Sequence, residues 1–89
     1  MNTDRFHLAA QLVARLQDKG AMLVTAESCT GGMIASAVTD IAGSSSALDR
    51  GLVTYSNQAK TDLLGVQADT LTQWGAVSEQ TAAEMVSGA

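Results

Sequence analysis

The chain has no proline, a single cysteine and three aromatic residues, and its longest apolar runs are short. One cysteine excludes an internal disulfide and is typical of a reducing cytoplasm. No apolar run approaches the roughly 20 residues of a membrane span. The N-terminus lacks the basic-then-apolar pattern of a secretory signal, because Asp4, Arg5 and His7 interrupt it. These absences predict a cytoplasmic protein that does not enter the membrane.

Charge is also scarce and has an acidic excess. The net charge is −4, and the five basic residues are scattered along the chain. A general nucleic-acid binder needs a basic stripe that tracks phosphates, so we expect no nucleic-acid partner. Hydrophobic residues make up 46% of the sequence, which is enough for one small buried core. With few aromatics, that core must consist largely of aliphatic side chains.

Hydrophobic periodicity and turn residues predict a helix-rich α/β alternation. Stripes at helical spacing alternate with two short apolar segments typical of buried strands. The predicted elements are a helix ended by Gly20, a strand over 21–25, a helix over 33–41 before Gly43, a strand over 51–55, a helix from the Ser56–Asn57 cap to Leu64, further turns over 70–74, and a last helix opened by Ser78 with Ala82, Met85 and Val86 facing inward.

Two strands make a poor sheet, since about three or more are needed for independent stability. Parallel strands joined by a crossover are more demanding still. The 89 residues are therefore predicted to form one partial domain, the front half of a larger α/β domain. Either the chain is truncated, or it completes itself by pairing with another chain.

A run of small polar residues and glycines, Ser28–Gly32, follows the first predicted strand. Unpaired N–H groups and the macrodipole at a helix start favour an anion such as a phosphate or carboxylate. No lysine follows at P-loop spacing, so the segment is not a P-loop. The alternative is a helix cap with glycines that permit close packing. Glu27 is interpreted as a carboxylate that stabilises the helix start, and Cys29 as a small buried thiol rather than a reactive thiolate.

A second polar cluster combines the serine turn Ser44–Ser46 with Tyr55 and Lys60. A serine becomes a nucleophile when a base takes its proton, and an uncharged lysine is one such base. A five-residue strand covers roughly 17 Å, however, so turn and tyrosine lie at opposite ends unless the chain folds back. The alternative interpretation is a serine-rich turn beside a surface lysine.

Several motifs in one order resemble the CinA C-terminal domain family: TAESCTGG, DIAGSS, GxVTYSNxAK, a Leu-Gly-Val step and GAVS. The resemblance runs without a gap from about Gly20 to Gly88. It implies a three-layer α/β/α fold, of which this chain is the N-terminal half. We expect the chain to form homo-oligomers. Single-domain members deamidate nicotinamide mononucleotide to nicotinate mononucleotide and ammonia in pyridine-nucleotide salvage, with no metal or organic cofactor implied.

Carried over by position, the family's Ser–Lys dyad falls on Ser45 as nucleophile and Lys60 as general base. Tyr55 orients the amide or relays a proton. Ser44 and Ser46 are close enough for the nucleophile assignment to slip by one residue. The resemblance also implies that the loop lines the nucleotide pocket, through Ser28, Thr30, Gly31 and Gly32.

The family's domains continue well beyond the last predicted helix and supply further polar and basic site residues. The resemblance therefore leaves two functions open. The chain is either an amidohydrolase acting on nicotinamide mononucleotide, or a catalytically silent relative that binds a nucleotide or a partner chain.

Overall fold

The computed structural model describes residues 3–89 and places two parallel strands between helices. Three of the helices are followed directly by a glycine, and two begin after a serine that caps their first turn. The elements are α1 (Thr3–Lys19), β1 (Leu23–Glu27), α2 (Met33–Thr39), a 3-10 turn (Ser44–Ser46), β2 (Leu48–Val53), α3 (Asn57–Leu64), α4 (Ala68–Trp74) and α5 (Glu79–Gly88).

The register of the sheet assigns each helix layer to a face. Thr25 pairs with Gly51 and Ala26 with Leu52, and an irregularity between Leu23 and Val24 sets this register. A Cβ on Gly51 would lie 3.0 Å from the Cβ of Ala35, so α2 packs directly on the Thr25–Gly51 face. Ala26 and Leu52 point to the opposite face, because side chains alternate along a strand. The sheet therefore lies between two helical layers.

Each layer has its own aliphatic core, as the low aromatic content predicts. On the α1–α2 side the buried residues are Val13, Val38 and Ala47, with Leu16, Leu23, Ile41 and Leu48 packed against them. On the α3–α5 side they are Leu64, Val66 and Met85, with Ala26, Leu52 and Leu71 packed against them. Fully burying a valine, leucine or methionine side chain contributes about 1.5–3 kcal/mol.

The α/β prediction and the order of elements are confirmed, and so are two helix caps. Ser56 Oγ accepts the Ala59 N–H at the start of α3, and Ser78 Oγ accepts the Thr81 N–H at the start of α5. The inward face of α5 was only partly predicted. Met85 is buried, but Ala82 and Val86 are exposed.

The predicted strand boundaries were wrong in both cases. β1 begins two residues late, because the Ala21 N–H still bonds the Leu16 carbonyl at the end of α1. β2 runs from Leu48 to Val53 rather than over 51–55. It ends early because the carbonyls of Thr54 and Tyr55 accept from a lysine rather than from a strand. α2 ends at Thr39 rather than 41, with Asp40 as its C-cap.

Large apolar side chains remain exposed on both strands, in the turn before α5 and on α5 itself. They include Val24, Val53, Val77 and Val86. Within residues 3–89, no helix combines the length and the hydropathy that crossing a bilayer requires.

Candidate active site

A buried lysine lies at the centre of the candidate site. Helical side chains lean toward the N-terminus, so Lys60 of α3 reaches back to the residues that precede the helix. The lysine is 1% exposed. Its Nζ lies 2.9 Å from the Thr54 carbonyl oxygen, 3.2 Å from that of Tyr55 and 2.9 Å from Ser28 Oγ.

Lys60 Nζ donates to all three of its partners. The carbonyls of Thr54 and Tyr55 only accept hydrogen bonds, whereas the hydroxyl of Ser28 can accept or donate. Among residues 3–89, no carboxylate forms an ion pair with this lysine. The Ser28 hydroxyl thus lies within hydrogen-bonding distance of a lysine amine, the pairing in which a deprotonated lysine can act as general base toward a serine.

The parallel sheet brings these residues together. Glu27 and Val53 form the last strand pair, and the Thr54 N–H then donates to the Glu27 carbonyl at 2.8 Å. Ser28 follows β1 directly, and the segment leading to Lys60 follows β2. Ligands of open α/β sheets commonly bind at the carboxyl ends of such strands.

The loop from Ser28 to α2 needs glycine at its end. Gly32 has φ 101°, in the left-handed region, and a Cβ there would lie 3.3 Å from Val53 Cγ2. Before it, the Gly31 N–H bonds the Ser28 carbonyl at 3.0 Å. The loop is thus a closed turn held against the end of β2.

Glu27 is buried and hydrogen-bonds across this turn. Its Oε1 accepts from Thr30 Oγ1 and the Ile34 N–H, both at 2.7 Å, and its Oε2 accepts from the Ala35 N–H at 3.0 Å. Burial raises the pKa of this carboxyl, but the bonds from the two helix N–H groups and from Thr30 outweigh burial and lower it. The buried Thr25 Oγ1 of β1 has no hydrogen-bond partner within residues 3–89.

The helix-stabilising role predicted for Glu27 is confirmed, and it changes the interpretation of the loop. The N–H groups of Ile34 and Ala35 at the start of α2 already bind an internal carboxylate. These two groups are not available to a phosphate. The hydroxyl of Thr30 is also engaged by Glu27. The loop's predicted contact with a nucleotide through Ser28, Thr30, Gly31 and Gly32 stays a prediction.

The three serines of the turn differ in environment. Ser44 is buried. Ser46 Oγ accepts from Gln17 Nε2 at 2.8 Å and donates to the Gly43 carbonyl at 3.0 Å, which ties the turn to α1. Ser45 is exposed. Of the three, Ser45 is the one whose side chain faces solvent without such a structural bond.

The structure does not bring Ser45 to Lys60 within this chain. Ser45 precedes β2 and Lys60 follows it, and a six-residue strand spans roughly 17 Å from its first to its last Cα. Tyr55 supplies its carbonyl to the lysine, while its side chain is 75% exposed. The catalytic roles of Ser45, Lys60 and Tyr55 stay predictions.

Sequence reasoning missed the contact between Ser28 and Lys60, and it misjudged a neighbour. Cys29 is exposed rather than buried. The available signal was topological: Ser28 and Lys60 both lie within five residues of the end of a predicted strand, and the carboxyl ends of parallel strands share one edge. Assigning the serine turn to that edge required a fold-back that the chain does not make.

An apolar groove of about 330 Å³ adjoins the loop at Thr30. It runs between α1 and α2, and its other lining residues are Arg5, Leu8, Ala9, Leu12, Met33, Ile34 and Ala37. The side chains of residues 3–89 form no cluster of three or more metal-ligating groups.

Comparison with known sequences assigns almost the whole chain. The CinA C-terminal domain model matches residues 5–89. Nicotinamide-nucleotide amidohydrolase PncC of Enterobacter agglomerans is 57% identical over 89 residues, covering 99% of this chain and 54% of the relative. PncC of Escherichia coli K12 is 50% identical over 88 residues, covering 99% and 53%. The chain thus spans about half the length of the curated relatives it matches.

Solved structures agree with this assignment. The competence/damage inducible protein CihA from Agrobacterium tumefaciens superposes with a TM-score of 0.98 at 54% identity, covering all of this chain and 54% of that one. A CinA superfamily protein from Escherichia coli has a TM-score of 0.92 at 38% identity, covering 100% and 53%. By sequence and by fold, the chain belongs to the CinA C-terminal domain family.

Proposed function

We propose that the chain provides a Ser–Lys site for hydrolysing the carboxamide of nicotinamide mononucleotide. The observation that carries this proposal is the buried Lys60 Nζ at 2.9 Å from Ser28 Oγ. Two relatives that cover 99% of the chain are named nicotinamide-nucleotide amidohydrolases, which supports this substrate class. The products are nicotinate mononucleotide and ammonia, and the reaction belongs to pyridine-nucleotide salvage.

In this proposal Ser28 is the nucleophile and Lys60 the general base. Lys60 takes the hydroxyl proton while Ser28 Oγ attacks the carboxamide carbon, and a tetrahedral oxyanion forms. The protonated lysine then gives its proton to the departing nitrogen, which leaves as ammonia. Water, deprotonated by the same amine, hydrolyses the resulting ester to release the carboxylate and restore Ser28.

Ser28 is preferred over Ser45 because of position and not because of residue type. Ser28 Oγ is already within hydrogen-bond distance of the base, as a nucleophile–base pair requires. Ser45 lies before β2, at the far end from Lys60. Tyr55 remains the residue we propose to orient the amide, because its carbonyl accepts a hydrogen bond from the base and its side chain is exposed.

We also propose that the chain self-associates in the cytoplasm. A two-stranded parallel sheet has two open edges, and such edges recruit further strands. The exposed Val24 and Val53 lie on these strands. The net charge of −4 makes nucleic acid an unfavourable partner, as it would repel phosphates.

The test is ammonia release from nicotinamide mononucleotide by the purified chain and four variants. Ser28→Ala and Lys60→Met should abolish release, whereas Ser87→Ala on the exposed end of α5 should not change it. Ser45→Ala separates the two nucleophile assignments. Release that survives Ser28→Ala but is lost in Ser45→Ala would return the role to Ser45.

Absence of turnover in the unmodified chain would refute the enzymatic proposal for this chain and favour the silent relative. Calorimetric titration with the same nucleotide then decides between its two forms. Binding of the nucleotide indicates a nucleotide-binding module. Absence of binding, together with a mass that rises with concentration, indicates a module that pairs with another chain.

A further inference from the structure

We infer that Glu27 is a positioning residue, which holds Ser28 in the orientation that lets its hydroxyl meet Lys60. This inference rests on the proposed function, since it concerns the geometry of the proposed nucleophile and base. It assigns to a buried carboxylate a task beyond the stabilisation of one helix. Glu27 does not touch the reacting atoms and acts through its neighbour.

The first support is the number of segments that Glu27 connects. Its carboxylate binds α2 through the Ile34 and Ala35 N–H groups and binds the loop through Thr30. Its carbonyl accepts the Thr54 N–H at the end of β2. Ser28 is the next residue along the chain, so its backbone direction is fixed on both sides.

The second support is that the same contacts lead to the base. Thr54, whose N–H bonds Glu27, gives its own carbonyl to Lys60 Nζ at 2.9 Å. Glu27 thus positions Ser28 through the adjoining peptide bond and Lys60 through the hydrogen bonds of Thr54. A loss of the carboxylate frees the loop from α2 and from Thr30, while the Thr54 path remains. We therefore expect Ser28 to move relative to Lys60.

Glu84 provides a matched control in the same chain. Its carboxylate also stabilises a helix start, accepting the Gln67 N–H at 2.9 Å and Thr70 Oγ1 at 2.5 Å at the beginning of α4. The pKa of Glu84 is lowered by the Gln67 N–H and by Thr70, which outweigh desolvation. No bond links this second carboxylate to Ser28 or Lys60 among residues 3–89. It is therefore an equivalent cap outside the site.

The experiment uses the two lysines of the chain, Lys19 and Lys60. With carbon-13-labelled lysine, the folded protein gives two methylene resonances next to nitrogen, and exposed Lys19 serves as the internal reference. Ser28→Ala should shift the Lys60 resonance. Glu27→Gln should shift it in the same direction, and Glu84→Gln should leave it unchanged.

The possible outcomes distinguish a failure of the positioning role of Glu27 from a failure of the proposed function. A Lys60 resonance that shifts in Ser28→Ala but stays in place in folded Glu27→Gln overturns the positioning role alone. A Lys60 resonance that does not shift in Ser28→Ala would show that the serine–lysine contact is absent, and it would refute the proposed function as well. A shift of equal size in Glu84→Gln shows a general loosening and also overturns the inference.

A milder variant keeps the test decisive if Glu27→Gln does not fold. Thr30→Val removes one hydrogen bond to Glu27 while keeping the volume of the side chain. A smaller Lys60 shift in the direction of Ser28→Ala is expected. An unchanged resonance in folded Thr30→Val, with Glu27→Gln unfolded, limits the carboxylate to a structural role and overturns the inference.

Discussion

The contact between Ser28 and Lys60 should be measurable as an energetic coupling, independently of any catalysis. The perturbation is a double-mutant cycle of Ser28→Ala and Lys60→Met, followed by urea unfolding. Methionine keeps an unbranched side chain as far as Cε, with sulfur in place of the δ-methylene, and removes the amine. The interaction energy is the part of the double mutant's destabilisation that the two single mutants do not account for.

The magnitude follows from the geometry. A 2.9 Å bond between two neutral groups contributes about 0.5–1.5 kcal/mol, and a bond from a charged ammonium about 1.5–3 kcal/mol. The expected coupling therefore lies between about 0.5 and 3 kcal/mol. Lys60→Met alone should cost about 3 kcal/mol, because it leaves two carbonyls and one hydroxyl without their donor or acceptor.

The control cycle pairs Ser45→Ala with Lys60→Met. Sites more than about 7–10 Å apart without shared partners add to within about 0.3–0.5 kcal/mol. Because β2 separates these two residues, no coupling beyond that range is expected. Coupling in the Ser45 cycle, with none in the Ser28 cycle, would refute the assignment of Ser28. If Lys60→Met unfolds, all variants are compared at one fixed concentration of a stabilising osmolyte.

Two further predictions concern stability. Gly88→Ala should lower the urea midpoint. Its Cβ would lie 1.8 Å from the Leu64 carbonyl oxygen, and the cost of this overlap exceeds the gain of about 1 kcal/mol in helix propensity. Ser87→Ala is the control, and an unchanged or raised midpoint in Gly88→Ala would contradict the packing. Glu27 and Glu84 have lowered pKa values when folded, so they stabilise the fold above the ordinary carboxyl pKa of 4.5 and lose that effect as pH falls through their folded values. Glutamine at either position should flatten this acid loss, measured as urea midpoint against pH, and curves parallel to the unmodified chain would contradict the linkage.

Local chemistry predicted the elements better than their ends. Ser78 was identified as a helix cap, and Ser56 as one of two alternatives beside Asn57, because a serine hydroxyl and its third following N–H are close in sequence. The end of β2 depends on a contact that local patterns do not contain. Lys60 takes the Thr54 and Tyr55 carbonyls, and no apolar pattern within 51–55 indicates that.

The candidate site was predicted in parts but not in its pairing. The loop after β1 and the lysine of α3 were both singled out, yet they were assigned to different tasks. Ser28 and Lys60 are 32 residues apart in sequence, and only the alignment of the two strands brings them together. A single sequence shows which residues follow a strand, but not which strand ends are neighbours.

The register of two short strands therefore determines whether the site exists. Thr25 must face Gly51 for α2 to approach the sheet, since a Cβ at 51 would lie 2.9 Å from Thr25 Oγ1. A slip by one residue would reverse the faces of one strand and displace Ser28 from Thr54 by about 3.3 Å. A displacement of that size would break the 2.9 Å hydrogen bond between Lys60 Nζ and Ser28 Oγ. Gly51 therefore maintains the strand register, and Glu27 stabilises the loop after β1. Both contributions place Ser28 beside Lys60.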